Sequence, residues 1–118
     1  MTRPVFIVED DFDVRELFAD TLSEAGYAVA TASNGREALE RLRHSTDAPG
    51  VILLDLMMPV MDGWQMKREL ASDPSLNEIP VVMMTASRNL GSVSGDVLLK
   101  PFPLDALLAT VERHCGAP

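Results

Sequence analysis

Cysteine and basic residues are scarce in this 118-residue sequence, and each shortage excludes a class of protein. The single cysteine, Cys115, has no second thiol in the chain with which to form a disulfide. Lysine and arginine number 10 against 18 acidic residues, which gives a net charge of −8. A chain this acidic repels nucleic-acid phosphates and anionic lipid surfaces. We therefore expect no direct binding to nucleic acid.

Long apolar runs are missing as well. No run approaches the roughly 20 residues that a membrane-spanning helix needs. The first residues, MTRPVFIVED, become acidic too early for a secretory signal. We expect a cytoplasmic protein with no membrane insertion.

The overall composition is that of one folded domain. Hydrophobic residues make up 47% of the chain and charged residues 24%, which is typical of globular proteins and argues against disorder. The length is close to the commonest domain size. We predict a single domain over residues 1–118. Because the chain ends soon after its last predicted helix, we expect no DNA-binding or enzymatic output domain.

The most informative stretch is 51–63, which reads VILLDLMMPVMDG. Four apolar residues lead directly into Asp55, and turn-forming residues follow. This pattern predicts a parallel strand that is buried on both faces. In an open α/β sheet the carboxyl end of such a strand faces the crevice where ligands bind. Asp55 is therefore a candidate site residue.

Strand patterns alternate with helix patterns along the whole chain. The predicted strands cover 4–8, 27–32, 51–55, 80–84 and 96–99, and the predicted helices cover 13–25, 35–44, 64–72 and the region from 104 to about 111. This alternation predicts a five-stranded parallel α/β sheet with helices on both faces. The segment 86–95, ASRNLGSVSG, is rich in serine and glycine and predicts a loop.

Polar residues follow the predicted strands at the points where the strands end. These residues are Glu9, Asp10, Asp55, Thr85 and Lys100. Because parallel strands end at the same edge of a sheet, one crevice can collect all of them. Three carboxylates in one crevice repel each other unless a cation offsets them. Mg²⁺ suits such a site, since it prefers a few carboxylate oxygens together with water and phosphate oxygens.

Phosphate is then the implied ligand of the crevice. An aspartate can itself act as the nucleophile in aspartyl-phosphate chemistry. In this interpretation Asp55 is the phosphoacceptor, Lys100 neutralises a phosphoryl oxygen, and the Thr85 hydroxyl donates to another.

Four motifs at these strand ends resemble one known family. IVEDD, DLMMPVMDG, MMTAS and LLKPF occur in the order found in the receiver domain of two-component response regulators. The resemblance implies a flavodoxin-like, doubly wound sheet with strand order 2-1-3-4-5. It also implies that Asp55 accepts a phosphoryl group from a histidine kinase or histidine phosphotransfer protein, and that this event switches contacts with a downstream protein partner.

The resemblance assigns a role to each candidate residue. Glu9 and Asp10 are similar to the metal-binding acid pair, and the Mg²⁺ ligands are completed by Asp55 and the backbone carbonyl of Met57. Thr85 resembles the switch hydroxyl and Lys100 the phosphate-contacting lysine. Lys100-Pro101 resembles the cis peptide of the family, a form that proline permits.

The chain departs from the family pattern in two ways. The family has a fourth helix between its Thr and its Lys, but only the fourteen residues 86 to 99 lie there and many are serine or glycine. We therefore expect this chain to lack helix α4 of the family and to have a loop in its place. The family also places an aromatic residue three positions before the Lys, where this chain has Val97. The Thr-aromatic relay is therefore not expected.

Two other functions fit parts of the pattern. A haloacid-dehalogenase-like phosphatase also uses a strand-end aspartate with Mg²⁺, but its second aspartate two residues later is here Met57. A receiver-like adaptor that works without phosphorylation would not require the acid pair together with Thr85 and Lys100. We expect a phosphoacceptor that catalyses only its own phosphorylation and dephosphorylation and is not otherwise an enzyme.

Overall fold

One parallel sheet forms the centre of the molecule. A computed structural model describes residues 3–58, 60–87 and 96–118. The strands are β1 (Val5–Val8), β2 (Val29–Ala32), β3 (Val51–Asp55), β4 (Val81–Thr85) and β5 (Val97–Leu99). They pair in the order β2-β1-β3-β4-β5, and every neighbouring pair is parallel. The predicted five-stranded parallel sheet and its strand order are confirmed.

Four helices are present among the described residues: α1 (Phe12–Glu24), α2 (Gly35–His44), α3 (Gly63–Ser72) and α4 (Leu104–Cys115). The first three begin at side-chain caps, in which Asp11, Asn34 and Asp62 each accept a hydrogen bond from a backbone N–H three residues later. In the part of the chain that is described, no helix has the length and apolar character needed to cross a membrane.

We expected the chain to lack helix α4, with a loop in its place, and the presence of an α4 among the described helices corrects that expectation. The fourth helix, α4, follows β5 and buries Leu107 and Val111 against the sheet, so its apolar stripe stabilises it. It covers the region in which the sequence predicts the last helix. The loop predicted at 86–95 stays a prediction, because residues 88–95 lie outside the described residues.

Two apolar layers hold the helices on opposite faces of the sheet. One layer packs β-strand side chains such as Phe6 and Leu54 against α2 and α3. The other packs alternate side chains such as Ile7 and Leu53 against α1 and α4. All residues of β1 and β3 are buried, as expected for parallel strands covered on both faces. The carboxyl ends of these two strands are therefore held at one fixed edge of the sheet.

The carboxylate of Asp96, the residue directly before β5, connects that strand to α4. The Asp96 Oδ2 atom accepts a hydrogen bond from the Arg113 guanidinium, and His114 Nε2 lies 2.9 Å from the same oxygen. These contacts with His114 and Arg113 hold the pKa of Asp96 below its usual value. The charged form of Asp96 therefore stabilises the fold.

Asp96→Asn should lower the stability at pH 7, by under about 1 kcal/mol because the contact is partly solvent-exposed. A depressed folded-state pKa gives stability above the ordinary pKa of about 4, and that stability is lost as the pH falls through the folded-state value. The difference between variant and wild type should therefore shrink below about pH 4. Thermal unfolding at pH 7 and pH 3 measures it, with Asp20→Asn on the exposed side of α1 as control. A difference that is equal at both pH values would contradict the assignment.

Candidate functional site

Three carboxylates meet at the carboxyl edge of the sheet. Glu9 and Asp10 follow β1, and Asp55 is the last residue of β3. Each offers an oxygen, and these oxygens all lie within 4.8 Å of one another. Glu9 and Asp55 are buried, whereas Asp10 is exposed. The predicted convergence of these acids is therefore observed.

Backbone contacts on both sides hold Asp55 in place. Its Oδ1 atom accepts a hydrogen bond of 3.2 Å from the backbone N–H of Met57. The next residue, Leu56, donates its backbone N–H to the carbonyl of Met84 on β4 at 3.0 Å. The Met57 side chain is 74% exposed, whereas Asp55 itself is buried. The role of the Met57 carbonyl as a metal ligand stays a prediction.

Lys100 places a cation between the two buried acids. Its Nζ atom lies 2.7 Å from Glu9 Oε1 and 3.7 Å from Asp55 Oδ2. The Lys100 backbone N–H donates to the carbonyl of Thr85 at 2.7 Å, which fixes the chain at this point. The following Lys100-Pro101 peptide is cis, as the resemblance implied.

The charges of the cluster are only partly balanced. Burial raises the pKa of Glu9, the neighbouring Asp55 raises it further, and Lys100 opposes both effects. Burial alone lowers the pKa of Lys100, but the hydrogen bond and charge of Glu9, assisted by Asp55, outweigh it and the net pKa is raised. One ammonium thus faces three carboxylates. The donor set and its excess negative charge fit a hard divalent cation such as Mg²⁺.

Thr85 is buried at the end of β4, beside β3. Its Oγ1 atom accepts a hydrogen bond from the backbone N–H of Ser87 at 3.0 Å. The hydroxyl is thus at the predicted edge of the sheet and takes part in the turn that follows its own strand. Val97, which stands at the position of the family's aromatic residue, is half-buried on β5.

Two residues of the site were missed by the sequence analysis. Arg15 donates to the backbone carbonyl of Glu9 at 2.9 Å, and its guanidinium lies over the Phe12 ring at 5.4 Å from the centroid. Gly63 donates its backbone N–H to the carbonyl of Leu56 at 3.0 Å. No local pattern marks Arg15, and Gly63 was interpreted only as one of the turn-forming residues that follow Asp55.

A comparison with protein-family models identifies the family to which this sequence belongs. The model described as the response regulator receiver domain matches residues 5–112. The chain belongs to this family. The resemblance found in the four motifs is confirmed, and so is the predicted function as a receiver domain of two-component signalling.

Individual relatives agree with this assignment. The response regulator MprA of Mycolicibacterium vanbaalenii is 38% identical over 112 residues, which are 89% of this chain and 47% of that protein. This receiver domain thus spans about half the length of the curated relatives it matches.

Solved structures of related proteins have the same fold as this chain. The chemotaxis protein CheY4 of Vibrio cholerae superposes with a TM-score of 0.84 at 30% identity, over 97% of this chain and 99% of that chain. The receiver domain of the sensor histidine kinase PA1611 of Pseudomonas aeruginosa has a TM-score of 0.84 at 24% identity, over 97% of this chain and 98% of that chain. Its structure contains a magnesium ion in the active-site cleft.

Lys100→Met should lower the free energy of unfolding of this receiver domain at pH 7 by about 1–3 kcal/mol, because it leaves the buried Glu9 carboxyl without its cation. Combining it with Glu9→Gln should recover part of the loss, since Asp55 is then the one buried carboxylate of the cluster left without the Lys100 cation. Urea unfolding in the presence of a chelator measures both effects. Arg68→Met, at an exposed position of α3, is the control and should change little. Equal losses in the single and double variants would show that the ion pair does not stabilise the site.

Proposed function

We propose that this receiver domain accepts a phosphoryl group on Asp55 and that phosphorylation switches its contacts with a downstream protein. The observation that carries the proposal is the position of the Asp55 carboxylate, within 4.8 Å of Glu9 and Asp10 oxygens and 3.7 Å from the Lys100 ammonium. A carboxylate at that point can act as a nucleophile whose product charge is balanced by nearby cations. The donor is a histidine kinase or a histidine phosphotransfer protein.

The transfer requires little covalent chemistry from the protein. A carboxylate oxygen of Asp55 forms a bond to phosphorus while the bond from phosphorus to the donor's histidine nitrogen breaks, and the product is an acyl phosphate. Lys100, already held beside Asp55, offsets negative charge on a phosphoryl oxygen. The Thr85 hydroxyl donates to another phosphoryl oxygen when its side chain turns towards Asp55. Most of the catalysis is therefore positioning and electrostatic stabilisation.

The acid cluster is the proposed Mg²⁺ site. Glu9, Asp10 and Asp55 supply carboxylate oxygens, with the Met57 carbonyl as a further ligand, and they match what the ion prefers. The magnesium ion in the PA1611 receiver domain is a precedent in a domain of the same fold. When bound, Mg²⁺ supplies positive charge that stabilises the transferring phosphoryl group.

Exposed apolar side chains near the cluster suit a protein donor. Phe12 and Leu17 are exposed on α1, and Met57 and Val60 are exposed on the segment that follows β3. An apolar depression of about 340 Å³ lies beside Lys100 and is lined by Leu17, Phe18 and Phe102 among others. Exposed apolar groups of this kind mark protein interaction sites. A docked donor would also exclude water from the reacting carboxylate.

Several expectations remain part of this proposal. The chain is proposed to work as one domain over residues 1–118, to catalyse no reaction beyond its own phosphorylation and dephosphorylation, and to act in the cytoplasm. A phosphorylation-independent adaptor is the alternative, and the phosphorylation experiment below separates the two.

Incubation with a small acyl-phosphate donor and Mg²⁺ should add one phosphoryl group to the wild-type chain, because the cation offsets the charge of the acid cluster. Intact-mass measurement detects the addition. Asp55→Asn should abolish it, and so should a chelator. Asp47→Asn, in the exposed segment before β3, is the matched control and should be phosphorylated normally. Phosphate addition that persists in Asp55→Asn, or that ignores the chelator, would refute the assignment.

Met57 should make self-dephosphorylation slow, because it offers no polar group to orient an attacking water. Met57→Asn should increase the rate of phosphate loss by about tenfold or more. Intact-mass time courses after donor removal give that rate. Val60→Asn is the control, since Val60 is similarly exposed on the same segment but lies farther along the chain. If both substitutions, or neither of them, accelerate the loss, this explanation is wrong.

A further inference from the structure

The first residue of α3 lies against the backbone of the phosphoacceptor strand. Gly63 is buried, and its N–H donates to the carbonyl of Leu56. A Cβ atom added to Gly63 would lie 2.7 Å from the carbonyl oxygen of Asp55 and 2.7 Å from the Cα atom of Leu56. Both distances are shorter than real Cβ contacts, and both neighbours are backbone atoms. Any side chain at this position would therefore have to displace the strand end or the helix.

The requirement for glycine is one of space and not of backbone conformation. The described glycines with positive φ are Gly26 and Gly116, and Gly63 is not among them. Alanine could therefore adopt the backbone angles of Gly63 at the start of a helix. With alanine at this position, however, α3 could not keep its present distance from Asp55.

The other side of the strand end cannot easily yield. Asp55 is aligned with Met84 in the parallel pairing of β3 with β4, and Leu56 donates to the Met84 carbonyl. A displaced Asp55 backbone would therefore change the position of its carboxylate relative to Lys100 and Glu9. Reacting groups need to be held within about 0.5 Å of their productive geometry, so a small displacement has a large effect on rate.

The geometry points to Gly63 as a positioning residue for phosphorylation: by lacking a side chain, it lets α3 seat against the Asp55 backbone and holds the carboxylate at its place in the cluster. This inference rests on the proposed function, because it concerns the same reaction. It assigns Gly63 no contact with the donor or the phosphoryl group.

Gly35 provides a matched control within the same chain. It is also the first residue of a helix, and it also follows a side-chain cap, Asn34. A Cβ atom on Gly35 would have the Met61 side chain at 3.0 Å and the Met61 carbonyl oxygen at 3.1 Å, and its three nearest neighbours would all be atoms of Met61 and not of the strand that carries Asp55. Asp62→Ala is a second control, because it removes the cap of α3 without adding an atom next to Asp55.

The test compares the limiting phosphorylation rate per folded molecule at saturating acyl-phosphate donor and Mg²⁺. Gly63→Ala should reduce this rate on the order of tenfold or more, whereas Gly35→Ala and Asp62→Ala should leave the rate unchanged even where they change the melting temperature. A rate for Gly63→Ala equal to that of wild type, or rate losses that simply follow the melting temperatures of all three variants, would overturn the inference.

Backbone amide chemical shifts distinguish failure of this inference from failure of the proposed function. If the wild type accepts no phosphate, the proposed function fails. Even then, Gly63→Ala should change the chemical shifts of the Asp55 and Leu56 amides, whereas Gly35→Ala should not. If Gly63→Ala leaves those chemical shifts unchanged, the positioning role is overturned.

Should Gly63→Ala not fold, the wild type is titrated with Mg²⁺ and beryllofluoride, a phosphate mimic. The Gly63 amide should then move and the Gly35 amide should not; an unmoved Gly63 amide would contradict the coupling.

Discussion

The repulsion between carboxylates gathered at one edge of the sheet is the constraint on which the rest of the site depends. Glu9 and Asp55 are buried there, where burial disfavours charge, and Asp10 adds a third acid within reach. Lys100 offsets part of this charge through its 2.7 Å contact with Glu9. Such an arrangement is costly for stability in the absence of a further cation, and the Mg²⁺ that we propose for the site would offset that cost.

The fold tolerates this cluster because its core is built elsewhere. Buried apolar side chains cover both faces of β1 and β3, so the strands that deliver the acids are held along their whole length. The elements around the site add specific backbone contacts. Arg15 on α1 holds the carbonyl of Glu9, and Gly63 on α3 allows close packing against Asp55. The position of the acids is thus determined by packing on both sides of the sheet.

Much of this architecture could be predicted from local patterns. The apolar run before Asp55 indicated a buried strand, and the acids, Thr85 and Lys100 followed from their positions at strand ends. The contacts of Arg15 and Gly63 could not be predicted, because each depends on how a helix seats against a strand and has no local signature. The expectation that helix α4 is absent was wrong, because the described residues include an α4 at Leu104–Cys115. The predicted loop at 86–95 lies largely outside the described residues.

Asp55 itself is the residue proposed to carry the phosphoryl group. Borohydride reduction of the phosphorylated chain converts an acyl phosphate on an aspartate into homoserine, and mass spectrometry of the resulting peptides locates the changed residue. We expect homoserine at position 55 and at no other aspartate, including the neighbouring cluster residue Asp10. Homoserine at Asp10 or elsewhere, or phosphate on a residue that borohydride leaves unchanged, would contradict it.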